Sequence, residues 1–113
     1  MNPRVERKPL ITPAMRQVLE DMHQAEQKEA YEDAIVCDGI ECWIGLRRIS
    51  RRTVDGLLRL IAISPENFDK SSVYILNDTG KAILKRPELA AEIRLALHKG
   101  RPFTIENERV KNL

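Results

Sequence analysis

Arginine and hydroxyl side chains concentrate in the run RRISRRT at residues 47–53. An arginine guanidinium can bind phosphate or read guanine through two hydrogen bonds, and serine and threonine hydroxyls suit phosphate oxygens. The cluster therefore points to nucleic-acid recognition. Its candidate contact residues are Arg47, Arg48, Ser50, Arg51, Arg52 and Thr53.

Residues for other kinds of chemistry do not form recognisable motifs. The chain has no glycine-rich phosphate loop and no serine or cysteine in a nucleophile motif. A zinc site needs about four ligands, whereas His23 and His98 each stand alone on a predicted helix. We therefore expect no enzyme activity, no metal and no cofactor. Cys37 and Cys42 could pair in principle, but a cytosolic setting favours reduced, buried thiols.

Charge is unevenly distributed, although the net charge is only +2. Eight acidic residues and one lysine lie between residues 20 and 41, whereas five arginines and one aspartate lie between 47 and 59. A basic face of this kind suits nucleic acid. The acidic segment 20–41 could instead bind a basic protein partner, or it could pair with the arginines of the same chain.

Length and composition predict a single folded unit. The 113 residues, 42% of them hydrophobic, suffice for one modest core. We expect a flexible arm at residues 1–11, a domain at 12–100 and a tail at 101–113. No apolar stretch is long enough to cross a bilayer and no secretion signal is evident, so no membrane partner and a cytoplasmic location are expected.

Helix signals recur along the chain. Thr12 and Pro13 mark the start of a first helix that runs to about residue 28 or beyond. Ser50 is a candidate N-cap for a second helix, whose buried face would carry Val54, Leu57, Leu58 and Ile61. Further on, Asn77 can cap a third helix, Pro87 interrupts the pattern, and a last helix ends at Gly100.

Two β-hairpins are predicted between these helices. In AIVCDGIECWIG at residues 34–45, Asp38 and Gly39 suit a two-residue turn, which would place Cys37 opposite Ile40 and Ile35 opposite Cys42. One face, the core face, would then carry Ile35, Cys37, Ile40, Cys42 and Ile44. Trp43 would then lie on the other face of the hairpin. The alternative is that the first helix continues to about Asp33. The segment AISPENFDKSSVYIL at residues 62–76 indicates a second hairpin with an exposed tip.

This order of elements resembles a winged helix-turn-helix domain. TVDGLLRLIAIS at residues 53–64 is similar to the recognition helix and its exit in that family, and VYILNDTGKAIL at residues 73–84 resembles the second wing strand and the helix after it. The pairing is similar to MarR-like regulators and related small bacterial or phage proteins, over about residues 12–85. It implies a winged-helix-like α+β fold with three to four helices and one or two small antiparallel β-hairpins.

One feature departs from that family. A full helix ordinarily precedes the recognition helix, whereas IVCDGIECWIGLRRI at residues 35–49 favours strands. A hairpin would then fill the place of the missing helix, and docking in a DNA groove would differ from the ordinary arrangement.

The resemblance implies a transcriptional regulator that binds double-stranded DNA. Residues 50–59 would enter the major groove, Arg47 and Arg48 would contact phosphates, and the wing residues Lys70, Ser71 and Ser72 would approach the minor groove or the backbone. The last helix could form a homodimer. The alternative function is a protein-interaction adaptor without direct DNA binding. RNA is a weaker candidate, because only five aromatic residues are available for base stacking.

Overall fold

The computed structural model describes residues 11–28, 34–67 and 70–113, without the side chains of residues 67, 70 and 71. Over these ranges the fold is α+β, as predicted. The helices are α1 (Pro13–Gln27), α2 (Arg51–Arg59), α3 (Asp78–Lys85) and α4 (Leu89–Lys99). The strands are β1 (Ala34–Asp38), β2 (Glu41–Ile44), β3 (Arg47–Ile49), β4 (Ile63–Asn67), β5 (Lys70–Leu76), β6 (Phe103–Glu106) and β7 (Arg109–Asn112). The predicted N-terminal arm lies almost entirely outside the described residues.

Helix α1 begins where the sequence predicts. The Thr12 hydroxyl accepts a hydrogen bond from the Met15 amide at 3.1 Å, and Pro13 takes the first helical position. The face that carries Met15, Val18, Leu19 and Met22 is buried. The helix ends at Gln27 with Lys28 as its C-cap, and residues 29–33, through which the alternative would continue it, lie outside the described residues.

Strands β1 to β5 form one antiparallel sheet in the order β3-β2-β1-β5-β4. The hairpin predicted at residues 34–45 is present, but its turn lies one residue later than expected. Gly39 and Ile40 make the turn, because Gly39 takes the positive φ of 62° that favours glycine and Asp38 stays in the strand opposite Glu41. Ile40 is consequently 81% exposed, and its predicted place on the core face is wrong.

The corrected register changes the state of the cysteines. Cys37 lies directly opposite Cys42, with their Cα atoms 4.1 Å apart, and a disulfide joins the two side chains. The expectation of two separate reduced thiols is therefore wrong. Both residues are buried, which agrees with the prediction that they face the core.

A third strand, β3, extends this hairpin and was not predicted. Gly45, at a φ of 60°, begins a second tight turn, after which Arg48 lies opposite Trp43 and Ile49 lies opposite Cys42. Three strands thus lie between α1 and α2 in the described part of the chain. The second predicted hairpin is also present, as β4 and β5, and its residues 68 and 69 lie outside the described ranges.

Helix α2 is shorter than its apolar pattern predicts. Val54 and Leu57 are buried and Leu58 is half-buried, as expected. The helix ends at Arg59, and the backbone then turns sharply at Ile61, which has a φ of 51°. Ile61 therefore lies beyond the helix with its side chain exposed, and its predicted place on the buried face is wrong.

The third and fourth helices have the predicted boundaries. The Asn77 carboxamide oxygen accepts a hydrogen bond from the Gly80 amide at 2.8 Å, while its nitrogen donates to the Ile61 carbonyl oxygen at 2.7 Å and the Ser64 hydroxyl at 2.8 Å. Asn77 therefore caps α3 and also holds the exit from α2. Helix α4 ends at Gly100, whose φ of 68° makes it the expected left-handed cap.

The C-terminal segment is not the featureless tail that the sequence predicts. Strands β6 and β7 form a separate antiparallel hairpin whose apolar side chains pack against the main core. Arg86 holds this hairpin: its guanidinium pairs with Glu92 on α4 and donates a hydrogen bond to the Glu108 carbonyl oxygen at 2.9 Å. Glu92 also accepts a hydrogen bond from the Val110 amide at 3.5 Å.

A single cluster of buried side chains joins all four helices to the inner face of the sheet. Its fully buried members include Leu19 and Met22 from α1, Leu57 from α2 and Ile93 from α4. At about 25 cal/mol per Å² of apolar surface removed from water, burial of such side chains is the main favourable term in folding. Among the described helices, none is long and apolar enough to cross a membrane.

Candidate nucleic-acid interface

The predicted contact residues at the start of α2 have different roles in the structure. The Ser50 hydroxyl accepts a hydrogen bond from the Arg52 amide at 3.1 Å, so it serves as the N-cap. Thr53 is only 9% exposed and lines a groove, so it does not project from the surface. Arg51 is half-buried, whereas the side chain of Arg52 is exposed.

Three of the four predicted arginines already form ion pairs. Arg47 pairs with Asp21 on α1, Arg48 pairs with Glu41 at 3.2 Å, and Arg51 pairs with Asp55 at 3.1 Å. The interpretation that the arginines pair with the acidic segment of the same chain is therefore confirmed for Arg47 and Arg48. Surface pairs of this kind add little stability, but they reduce the charge that is offered to an external anion.

Arg51 also lies close to the disulfide. One of its terminal nitrogens is 3.9 Å from the Cys42 sulfur, and its Nε donates to the Asp55 carboxylate one turn further along α2. The side chain therefore lies along the helix surface toward β2. Arg51 thus contacts both α2 and β2, and its guanidinium is less available to an external anion than that of Arg52.

Five arginines of the described residues have no carboxylate within ion-pair distance: Arg52, Arg59, Arg94, Arg101 and Arg109. Arg52 and Arg59 project from α2, and Arg94 projects from α4. These three are exposed and line the same groove. We call them the free arginines.

The groove lies between the start of α1, one face of α2 and the end of α4. Its floor is apolar and includes Met15, Leu60 and Leu97, and its volume is about 600 Å³. Gly56 belongs to the same face of α2, where a Cβ would lie 3.1 Å from the Met15 sulfur. Glycine at position 56 therefore allows α1 to pack closely against this face of α2.

The wing, which is the β4–β5 hairpin, has one predicted contact residue whose side chain is described. Ser72 is exposed on β5, as a contact residue must be. The side chains of Lys70 and Ser71 lie outside the described residues, although both residues belong to β5. The predicted wing contacts of these two residues therefore stay predictions.

The outer face of the sheet carries a row of apolar residues. Val36 lies opposite Trp43 on β2 and opposite Val73 on β5, so the three side chains adjoin one another. Val36 is 47% exposed, whereas Trp43 and Val73 are half-buried. Trp43 lies on the face opposite the cysteines, as predicted.

Two of the free arginines, Arg59 and Arg94, are absent from the predicted site residues. Arg52 and Arg59 are seven residues apart, a spacing that places both on one face of a helix, so the sequence carried a signal for Arg59. Arg94 had no comparable signal, because its position beside α2 depends on contacts between distant parts of the chain. Comparison with known proteins adds no further site residue, since no family model, curated protein or solved structure matches the chain.

Proposed function

We propose that the protein is a DNA-binding module and a transcriptional regulator that acts in the cytoplasm. The observation that supports this most directly is the set of free arginines on one surface, in a chain where the other arginines near α2 are paired. An unpaired, exposed guanidinium can neutralise a phosphate without first breaking an internal ion pair.

The proposed contact differs from the one that the sequence predicts. Arg52, Arg59 and Arg94 take the place of Arg47, Arg48 and Arg51 as the principal phosphate contacts, with Ser72 on the wing as a further contact. The winged-helix resemblance supports the proposal in two respects: α2 precedes the β4–β5 hairpin, and α3 follows it. The strands β1 to β3 stand where the family has a helix, so α2 would approach the duplex without that helix beside it.

Binding to a labelled random-sequence duplex across a series of salt concentrations tests this function. Three phosphate contacts predict that the logarithm of the binding constant falls with the logarithm of the salt concentration with a slope of about −3. A folded protein that fails to bind duplex at low salt would contradict the proposal, and it would favour the other function considered, that of a protein-interaction adaptor.

A further inference from the structure

The groove between α1, α2 and α4 has an apolar lining that the proposed DNA contact does not use. The proposed phosphate contacts use the exposed arginines, whereas Met15 and Leu60, which line the same groove, are each only 5% exposed. A volume of about 600 Å³ falls within the roughly 300–1,000 Å³ of small-molecule sites in proteins. The groove is therefore large enough for a ligand of its own.

The charge of the groove defines one part of such a ligand. Arg52, Arg59 and Arg94 line it, and none of the described lining residues is acidic. The N-terminus of α1 also faces the groove through Thr12 and Ala14, which adds the partial positive charge of a helix start. Three guanidinium groups suit a phosphate with two or more negative charges better than a single carboxylate.

The floor of the groove defines the other part. Apolar groups of Met15, Leu60 and Leu97 line it, of which Leu97 is 44% exposed, and the thioether of Met15 can make a favourable contact with an aromatic ring. Gly56 also lines the groove, and a side chain there would press on Met15, since a Cβ would lie 3.1 Å from its sulfur. A flat aromatic ring with a phosphate at one end matches both the apolar floor and the free arginines.

We propose that the groove binds a nucleoside phosphate. The phosphate lies on Arg52, Arg59 and Arg94, and the base lies on the floor formed by Met15, Leu60 and Leu97. This site does not depend on the proposed function, because the ligand would bind to the isolated protein whether or not the protein also binds DNA.

The methionine methyl groups provide a direct test by NMR. The chain has three methionines: Met15 lies on the groove floor, Met22 is fully buried away from the groove, and Met1 lies outside the described residues. In protein labelled with ¹³C at the methionine methyls, titration with AMP should shift the Met15 signal to saturation and leave the Met22 signal in place. An unchanged Met15 signal at millimolar AMP would overturn the proposal.

Variants and smaller ligands divide the site into its two parts. Arg94→Ala should weaken AMP binding about tenfold or more, whereas Arg47→Ala, which removes a paired arginine, should not. Leu97→Gln, at an exposed position, should weaken AMP binding without changing the affinity for inorganic phosphate. Equal affinity for AMP and inorganic phosphate, or equal AMP affinity in the Arg94 and Arg47 variants, would contradict the proposed ligand.

A separate DNA titration keeps this inference distinct from the proposed function. Protein that shifts Met15 with AMP but does not bind duplex would retain the nucleoside phosphate site and lose the DNA-binding role. Protein that binds duplex but shows no Met15 shift would retain the DNA-binding role and lose the nucleoside phosphate site.

Discussion

At the scale of single residues, Gly80 belongs to a local capping motif and also allows close contact with residues distant in the sequence. The sequence NDTG at residues 77–80 predicts a capped helix start, and Asn77 provides that cap. The reason for glycine lies elsewhere in the chain: a Cβ at position 80 would lie 2.3 Å from the Ala62 carbonyl oxygen and 2.6 Å from a methyl of Leu76. The motif could be recognised from the sequence, but this close approach of α3 to the end of α2 could not.

Gly80→Ala should destabilise the fold by about 1–3 kcal/mol, the usual cost of overpacking, although alanine favours a helix by about 1 kcal/mol. Urea unfolding measures the difference. The matched control is Gly56→Ala, where the new methyl would meet only the flexible end of Met15 at 3.1 Å and a smaller loss is expected. A Gly80→Ala variant as stable as the wild type would show that α3 does not pack so closely.

At the scale of elements, the β1–β2 hairpin was predicted, although in the wrong register, whereas the C-terminal hairpin was not predicted. Composition and a glycine marked the first, and Gly39 takes the positive φ, but the turn is formed by Gly39 and Ile40, whereas the sequence suggested Asp38 and Gly39. The second turns at Asn107 and Glu108, both at positive φ, so no glycine marks it. Without that signal the segment resembled a tail.

The disulfide between β1 and β2 should stabilise the oxidised protein by about 2 kcal/mol, because it closes a short loop in the unfolded chain. A reductant should lower the melting temperature of the wild type and leave that of the Cys37→Ala, Cys42→Ala double variant unchanged. Two free thiols titrated in the purified, unreduced protein would contradict the pairing. A reducing cytoplasm opposes disulfides in general, so the same titration on freshly lysed cells reports the state of the pair in vivo.

The C-terminal hairpin should loosen in acid. The hydrogen bond from Arg86 lowers the pKa of Glu92, with a smaller contribution in the same direction from the Val110 amide, against the opposing effect of desolvation. The ion pair therefore adds stability that is complete above the ordinary glutamate pKa of about 4.3 and is lost as the pH falls through the lowered value in the folded protein.

Amide hydrogen exchange at Val110, measured between pH 6 and pH 3, checks this expectation with a correction for the intrinsic pH dependence of exchange. Protection in the wild type should fall as Glu92 is protonated. The Glu92→Gln variant should start with less protection and lose less of it on acidification. If both proteins lost protection to the same extent, the Arg86–Glu92 pair would not be what holds the hairpin.

At the scale of the whole molecule, the limits of sequence reasoning follow from distance along the chain. Signals that act over one turn, such as the caps at Thr12, Ser50 and Asn77, were predicted correctly. The joining of two hairpins into one sheet and the pairing of Arg47 with Asp21 depend on contacts over 26 residues or more. The candidate site differs from the predicted one for that reason. The run RRISRRT is conspicuous in the sequence, but carboxylates of the same chain pair with three of its four arginines.

The central claim is that the free arginines, and not the paired ones, contact DNA. Two double variants with the same change in net charge test it: Arg52→Ala, Arg59→Ala and Arg47→Ala, Arg48→Ala. The measurement is duplex binding at several salt concentrations, after circular dichroism has confirmed that both variants are folded. Loss of Arg52 and Arg59 should weaken binding at least tenfold and reduce the salt slope by about two, whereas loss of Arg47 and Arg48 should change the slope little. Equal effects of the two variants, or a larger effect of the second, would contradict the account.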